Sequence, residues 1–124
     1  MVRAMLVFVP PGGGEADYQL TFDLPGVPST GDYISVSRKG VEKPGYEHFI
    51  VRRSWWTLEI ADQSAVVIAG NGAIGKLSEL IVECEFARGT YDSESHKVCC
   101  DAYDAKAAKY QKNLPVKSFD QSCY

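Results

Sequence analysis

Alternation of apolar and polar positions dominates the chain from Arg3 to Ala87, and it predicts strands rather than helices. Arg3–Val9 is apolar and β-branched and reads as a first strand. Pro10-Pro11-Gly12-Gly13-Gly14 can only be loop. Asp17–Asp23 alternates cleanly, with Tyr18, Leu20 and Phe22 inward and Gln19 and Thr21 outward, so the first two strands form a hairpin. Leu24–Asp32 holds two prolines and two glycines and predicts a shaped, rigid connection. Tyr33–Ser37 alternates again, with Ile34 and Val36 as its core pair, and Arg38–Gly45 is a charged turn.

Tyr46–Glu59, YEHFIVRRSWWTLE, is the stretch around which the rest is organised. Aromatic and β-branched residues crowd it and neither Gly nor Pro interrupts it, so it predicts one long strand. Strict alternation sets Phe49, Val51 and Trp55 on one face, and Tyr46, Ile50, Trp56 and Leu58 on the other. Arg52 and Arg53 break the pattern in the middle, where a β-bulge would bend the strand and re-aim its side chains. Trp56 shares its face with Ile50 and Leu58 and is expected in the barrel core, while Trp55, on the face of Phe49 and Val51, is expected beneath the C-terminal helix or in a subunit interface.

Ser64–Lys76 joins an apolar β-run to Gly70-x-Gly72-x-x-Gly75, the form of a dinucleotide fingerprint. That fingerprint opens a doubly wound sheet, whereas here β-type sequence precedes it and little chain follows. The reading adopted is a strand at Ala65–Ala69, a loop at Gly70–Ser78 and a strand at Glu79–Ala87. Past Arg88-Gly89 the texture changes: Tyr91–Lys97 is polar and aperiodic. Asp101–Lys112 predicts a surface helix capped by Asp101, with an apolar face of Ala102, Tyr103, Ala105, Ala107 and Tyr110. The expected fold is one domain over residues 1–124, with a β-barrel at about 3–87 and a polar linker, helix and tail at 88–124. It is mainly β: five or six antiparallel strands in a small SH3-like or related barrel with a short C-terminal α-helix.

The combination LPGVPSTGDYISV, YEHFIVRRSWW and LIVECEFA resembles a pattern in small uncharacterised bacterial β-barrel proteins, some carried on mobile elements, including integron gene cassettes. The resemblance spans roughly Ala16–Ala87, rests on structural motifs, and implies a small barrel with no stated activity.

Composition narrows the function classes. A net charge of −3 argues against a dedicated duplex-DNA binder, whose affinity comes from neutralising phosphates. The apolar run Ala4–Val9 is too short for a secretory signal or a bilayer span, so no membrane partner is expected. Cys84, Cys99, Cys100 and Cys123 lack C-x-x-C spacing and read as reduced thiols of a cytoplasmic protein. Zinc on those cysteines is the alternative that the spacing disfavours, and neither a metal nor a cofactor is expected.

His48 lies on the aromatic strand, with Asp32, Glu47 and Glu59 available as carboxylates, but no spacing ties any of them to it. His96 reads as solvated. Arg52 and Arg53 face opposite sides of the strand, one exposed and the other in a cross-strand ion pair with Glu83 or Glu85 or stacked on Trp55; an anion contact beside an aromatic platform is the sharper alternative. Ser54 has no nucleophile-elbow context. Adjacent tryptophans cannot share a strand face, so one needs a cover, and this favours binding over catalysis. The expected binding residues are Trp55, Arg52, Arg53, His48 and Tyr46. The expected function is non-enzymatic interaction with self-association into a homo-oligomer, with a small-molecule or protein ligand. The alternatives are a barrel binding single-stranded nucleic acid, and a small-molecule enzyme using His48.

Overall fold

A computed structural model describes residues 1–40, 45–60, 75–110 and 115–119. It contains β1 (Val2–Val9), β2 (Tyr18–Leu24), β3 (Tyr33–Ser37), β4 (Tyr46–Glu59), β5 (Lys76–Arg88), α1 (Glu94–Tyr110) and β6 (Lys117–Ser118). The fold is mainly β, a single curled sheet in the order β2-β1-β5-β4-β3, with β6 added beside the end of β5. The ladder ends at β2 and β3, which face each other across a cavity of about 250 Å³ lined by Leu6, Phe22, Leu24, Ile34 and Val36.

The expectation that all strands pair antiparallel is corrected at the centre. β1 pairs β2 antiparallel but β5 in parallel, and β6 also joins β5 in parallel. β1 can take an internal place because its run MLVFV offers apolar side chains to both faces. β5 is covered on both faces from Val82 to Ala87. It begins at Lys76, so Lys76–Ser78 belongs to the strand rather than to a loop. The strand expected at Ala65–Ala69 and the glycines Gly70 and Gly72 lie outside the described residues.

The core fills the concave side. Ala4, Leu6, Phe8, Val36, Phe49, Val51, Leu80, Val82, Cys84 and Phe86 are buried there. Phe8 and Phe49 rings lie 4.1 Å apart, and Phe49 meets Phe86 edge-on at 5.1 Å. α1 closes one end of this core. It starts at Glu94, seven residues before the expected cap at Asp101, because Ser93 Oγ accepts the N–H of His96 at 3.2 Å. Its inward positions are His96, Cys99, Cys100, Tyr103 and Ala107, spaced at helical intervals, whereas Ala102 and Ala105 are exposed.

A bulge interrupts β4 at Arg52-Arg53, where the charge pair breaks the alternation. Val51 pairs with Cys84 and Arg53 with Glu83, so Arg52 is the extra residue. The slip reverses the phase from Arg53 to Thr57, and a second register shift follows between Thr57 and Leu58. Trp55 now opposes Ile81 on the Glu83 side, and Trp56 opposes Leu80.

Candidate functional site

Among the described residues, three groupings stand out: a ribbon at the end of β4 and the start of β5, a charge network on the convex face, and a buried histidine pair.

The ribbon comprises Arg53–Glu59 and Lys76–Leu80, extended by Ile60 just past the end of β4. β1 pairs β5 only from Ile81 onward, and β3 pairs β4 only as far as Ile50, with Asp32 and Gly31 bonding Val51 beyond it. Among the described residues the ribbon is therefore two-stranded with both edges open. Trp55 is 42% exposed, Trp56 55%, Leu58 70%, Ile60 53% and Leu77 39%. Burial of Trp56 in the core is thus corrected: among the described residues the sheet narrows to two strands where that ring projects, and the ring is left more than half exposed. Nor does α1 cover Trp55, since the helix packs on Phe86 through Tyr103 and His96. The Arg53 guanidinium lies over the Trp55 ring at 4.7 Å.

The charge network is built on Glu83 and Glu85, buried carboxylates at alternate positions of β5. Arg53 Nε donates to Glu83 Oε2 at 2.5 Å, and Arg52 Nη1 stands 3.3 Å from Glu83 Oε1. Arg52 Nε is 3.7 Å from Glu85 Oε2, and the Gly12 N–H donates to that same oxygen at 3.0 Å. Lys117 Nζ sits 2.8 Å from Glu85 Oε1 as a charge contact rather than an aligned hydrogen bond. Gly13 leaves room for this: its φ is +102°, and a Cβ there would stand 2.3 Å from Arg52 Nη1. The bulge puts both arginines within reach of one carboxylate, so the expectation that they face opposite sides with only one paired is corrected.

The histidine pair lies at the end of the sheet, where β5 turns into α1. Gly45 permits this turn to cross β4, since a Cβ at Gly45 would lie 2.6 Å from Ser93 Cα. The Tyr46 N–H donates to Tyr91 O and the Ser93 N–H to Tyr46 O, stitching the turn to the strand, while Tyr91 takes a left-handed backbone (φ 66°). Asp92 is thereby pressed onto His48, whose Nδ1–H it accepts in a short hydrogen bond. The Gly89 N–H holds the Asp92 carboxylate from behind at 3.1 and 3.2 Å. His96 is buried, correcting its reading as solvated, and stacks on Phe86. Its Nε2 is 2.7 Å from the Ala87 carbonyl and 3.2 Å from the His48 backbone nitrogen.

Of the expected site residues, Trp55 and Arg53 come together at the root of the ribbon, and Arg52 joins them through Glu83. His48 and Tyr46 stand apart at the other end of β4, with their rings 5.9 Å from each other. Sequence reasoning missed Asp92 and His96. The usable signal for His96 was its helical spacing to Cys100 and Tyr103. Two of the carboxylates considered for His48 are engaged elsewhere, Asp32 accepting the Ser29 N–H and Glu47 binding Tyr18 and Arg38, and Glu59 lies at the far end of β4, opposite Lys76.

Cys84, Cys99 and Cys100 are free thiols. Burial pushes Cys84 and Cys100 each up to about 12, and raises Cys99 as well. Among the described residues no helix is long and apolar enough to cross a membrane. Comparison with models of protein families, with curated proteins and with solved structures gave no match.

Proposed function

We propose that this chain is a non-enzymatic interaction protein that self-associates through the Trp55–Trp56 ribbon. The observation that carries the reading is a two-stranded ribbon with both edges open and Trp55, Trp56, Leu58, Ile60 and Leu77 exposed on it. An isolated two-stranded ribbon is marginal in water, and unpaired strand edges are templates for another strand. A second copy supplies a matching edge by two-fold symmetry, which presents the same aromatic side chains from both partners.

Covering Trp56 sets the scale. A tryptophan side chain offers roughly 250 Å², so its exposed 55% is worth about 3 kcal/mol when buried. Trp56→Ser, counted once per copy, weakens a dimer by at least a hundredfold while the fold persists. Light scattering across a concentration series measures this. A wild-type chain that stays monomeric throughout, or a variant that associates equally well, overturns the reading.

Nucleic-acid binding has less support, because both guanidinium groups are already engaged with buried carboxylates. A cytoplasmic location fits the reduced thiols. The resemblance to small cassette-borne β-proteins fits an interaction module of this size.

A further inference from the structure

We infer that His48, Asp92 and His96 form a binding site for one divalent transition metal ion of borderline softness, zinc being the type. One ligand atom from each residue lies within 4.8 Å of the other two. Two imidazoles and one carboxylate are the donors such ions take, and alkaline-earth ions, which want oxygen, do not suit them.

The protonation pattern leaves donors available. His96 Nε2 lies 2.7 Å from the Ala87 carbonyl and 3.2 Å from the His48 backbone N–H; the carbonyl can only accept and stands closer, so the ring proton is assigned to Nε2 and the His48 N–H makes a close contact there rather than a hydrogen bond. Nδ1 of the neutral ring then keeps its lone pair, and it is a buried atom with no hydrogen-bond partner. A buried, unpartnered lone pair costs stability and needs a reason. His48 donates its Nδ1–H in a hydrogen bond to the Asp92 carboxylate and keeps the proton. When metal enters, His48 moves that proton to Nε2 and remains neutral, its Nδ1 lone pair goes to the ion, and Asp92 stays a carboxylate. No oxidant or further reactant is required.

The surroundings match a metal site in two ways. The Ala87 carbonyl orients the His96 ring and the Gly89 N–H orients Asp92, the outer contacts that fix ligand direction. Aromatic rings enclose the pair: Phe86 stacks on His96 at 5.4 Å, and Phe119 meets His48 edge-on at 4.8 Å. Tetrahedral ligation sets donors about 3.4 Å apart. The Gly89–Ser93 turn therefore tightens onto β4 when the ion binds.

The test uses the full chain, stripped with a chelator and kept reduced, and titrated with Zn²⁺ by calorimetry and with Co²⁺ by visible absorption. One ion per chain is expected, with four- or five-coordinate Co²⁺ bands and no thiolate charge-transfer band. Asp92→Asn and His48→Gln, shown to be folded by circular dichroism, are expected to lose at least tenfold in affinity. Cys99→Ser and Cys100→Ser are expected to leave it unchanged. No stoichiometric binding, a thiolate band, or folded variants that bind like wild type overturns the assignment. Should Asp92→Asn and His48→Gln fail to fold, nitrogen-15 spectra of the wild-type histidine rings decide. A Zn²⁺-induced shift of one nitrogen in each ring supports the site, and unmoved rings overturn it.

Discussion

Replacing Arg52 with alanine tests whether the bulge residue holds the convex face together. Arg52 stands between two carboxylates that are almost wholly buried, Glu83 at 3% and Glu85 at 2% exposure. Leaving a buried charge without its partner costs about 3–5 kcal/mol. Here each carboxylate keeps one other cation, Arg53 on Glu83 and Lys117 on Glu85. The expected loss is therefore at the lower end, about 3 kcal/mol. Arg53 makes the shorter contact but its side chain is 60% exposed, so solvent screens it. Arg53→Ala is expected to cost about 1 kcal/mol, including its stacking on Trp55. Urea unfolding measures both, and for a chain of this size Arg52→Ala lowers the melting temperature by roughly 10 °C. Adding Glu85→Gln to Arg52→Ala returns part of the loss, because it removes one of two like charges facing each other. An Arg53 variant that is the more damaged, or an Arg52 variant within 1 kcal/mol of wild type, refutes the argument that the extra residue is the keystone.

Three further outcomes are expected. Gly45→Ala pushes a Cβ to 2.6 Å from Ser93 Cα, so the turn lifts from β4; a loss of about 1–3 kcal/mol in urea unfolding, together with disappearance of the hydrogen-bonded His48 ring proton in NMR, checks this. Cys84 and Cys100, both pushed up to about 12 by burial, stay as thiols at pH 8 and resist iodoacetamide until urea unfolds the chain; mass spectrometry of labelled peptides reads it, and rapid native labelling contradicts the packing. Trp55→Ser and Trp56→Ser both remain folded by circular dichroism, since each ring is at least two-fifths exposed; a molten Trp56 variant would return that ring to the core.

Local pattern was enough for most strands and insufficient for how they meet. β4 has the predicted bounds because fourteen residues without Gly or Pro leave the backbone little else to do. The parallel pairing of β1 with β5 joins residues more than seventy positions apart, and no local signal reports it. A bulge at Arg52-Arg53 was legible from the charge pair, but its effect on Trp56 was not. Whether a reversed phase buries a ring depends on how many strands stand opposite, and there the ribbon has lost β1. Asp92 was hidden for a related reason: it comes from a polar, aperiodic stretch, and it reaches His48 because Gly45 lets Ser93 pass. α1 begins early because its inward positions are histidine, cysteine and tyrosine, whose helical spacing is masked when only aliphatic residues are counted.

The two buried carboxylates explain why β5 keeps a single register. A one-residue slip of a strand exchanges its faces. In β5 that slip would drive Glu83 and Glu85 into the side occupied by Phe8, Phe49 and Leu6, with no cation near them. It would also leave Val82, Cys84 and Phe86 among Arg52, Arg53 and Lys117. The penalty is steep in both directions, so the ion network selects the pairing even where it adds little net stability. The same choice sets the far end of the strand. With Arg53 held to Glu83, Trp55 must follow on the convex side and Trp56 opposite Leu80, so the ribbon shows one tryptophan on each face. A partner that adds a strand to the ribbon's edge would meet both rings at once. The charges at the centre of the sheet thus fix which apolar groups its open end presents.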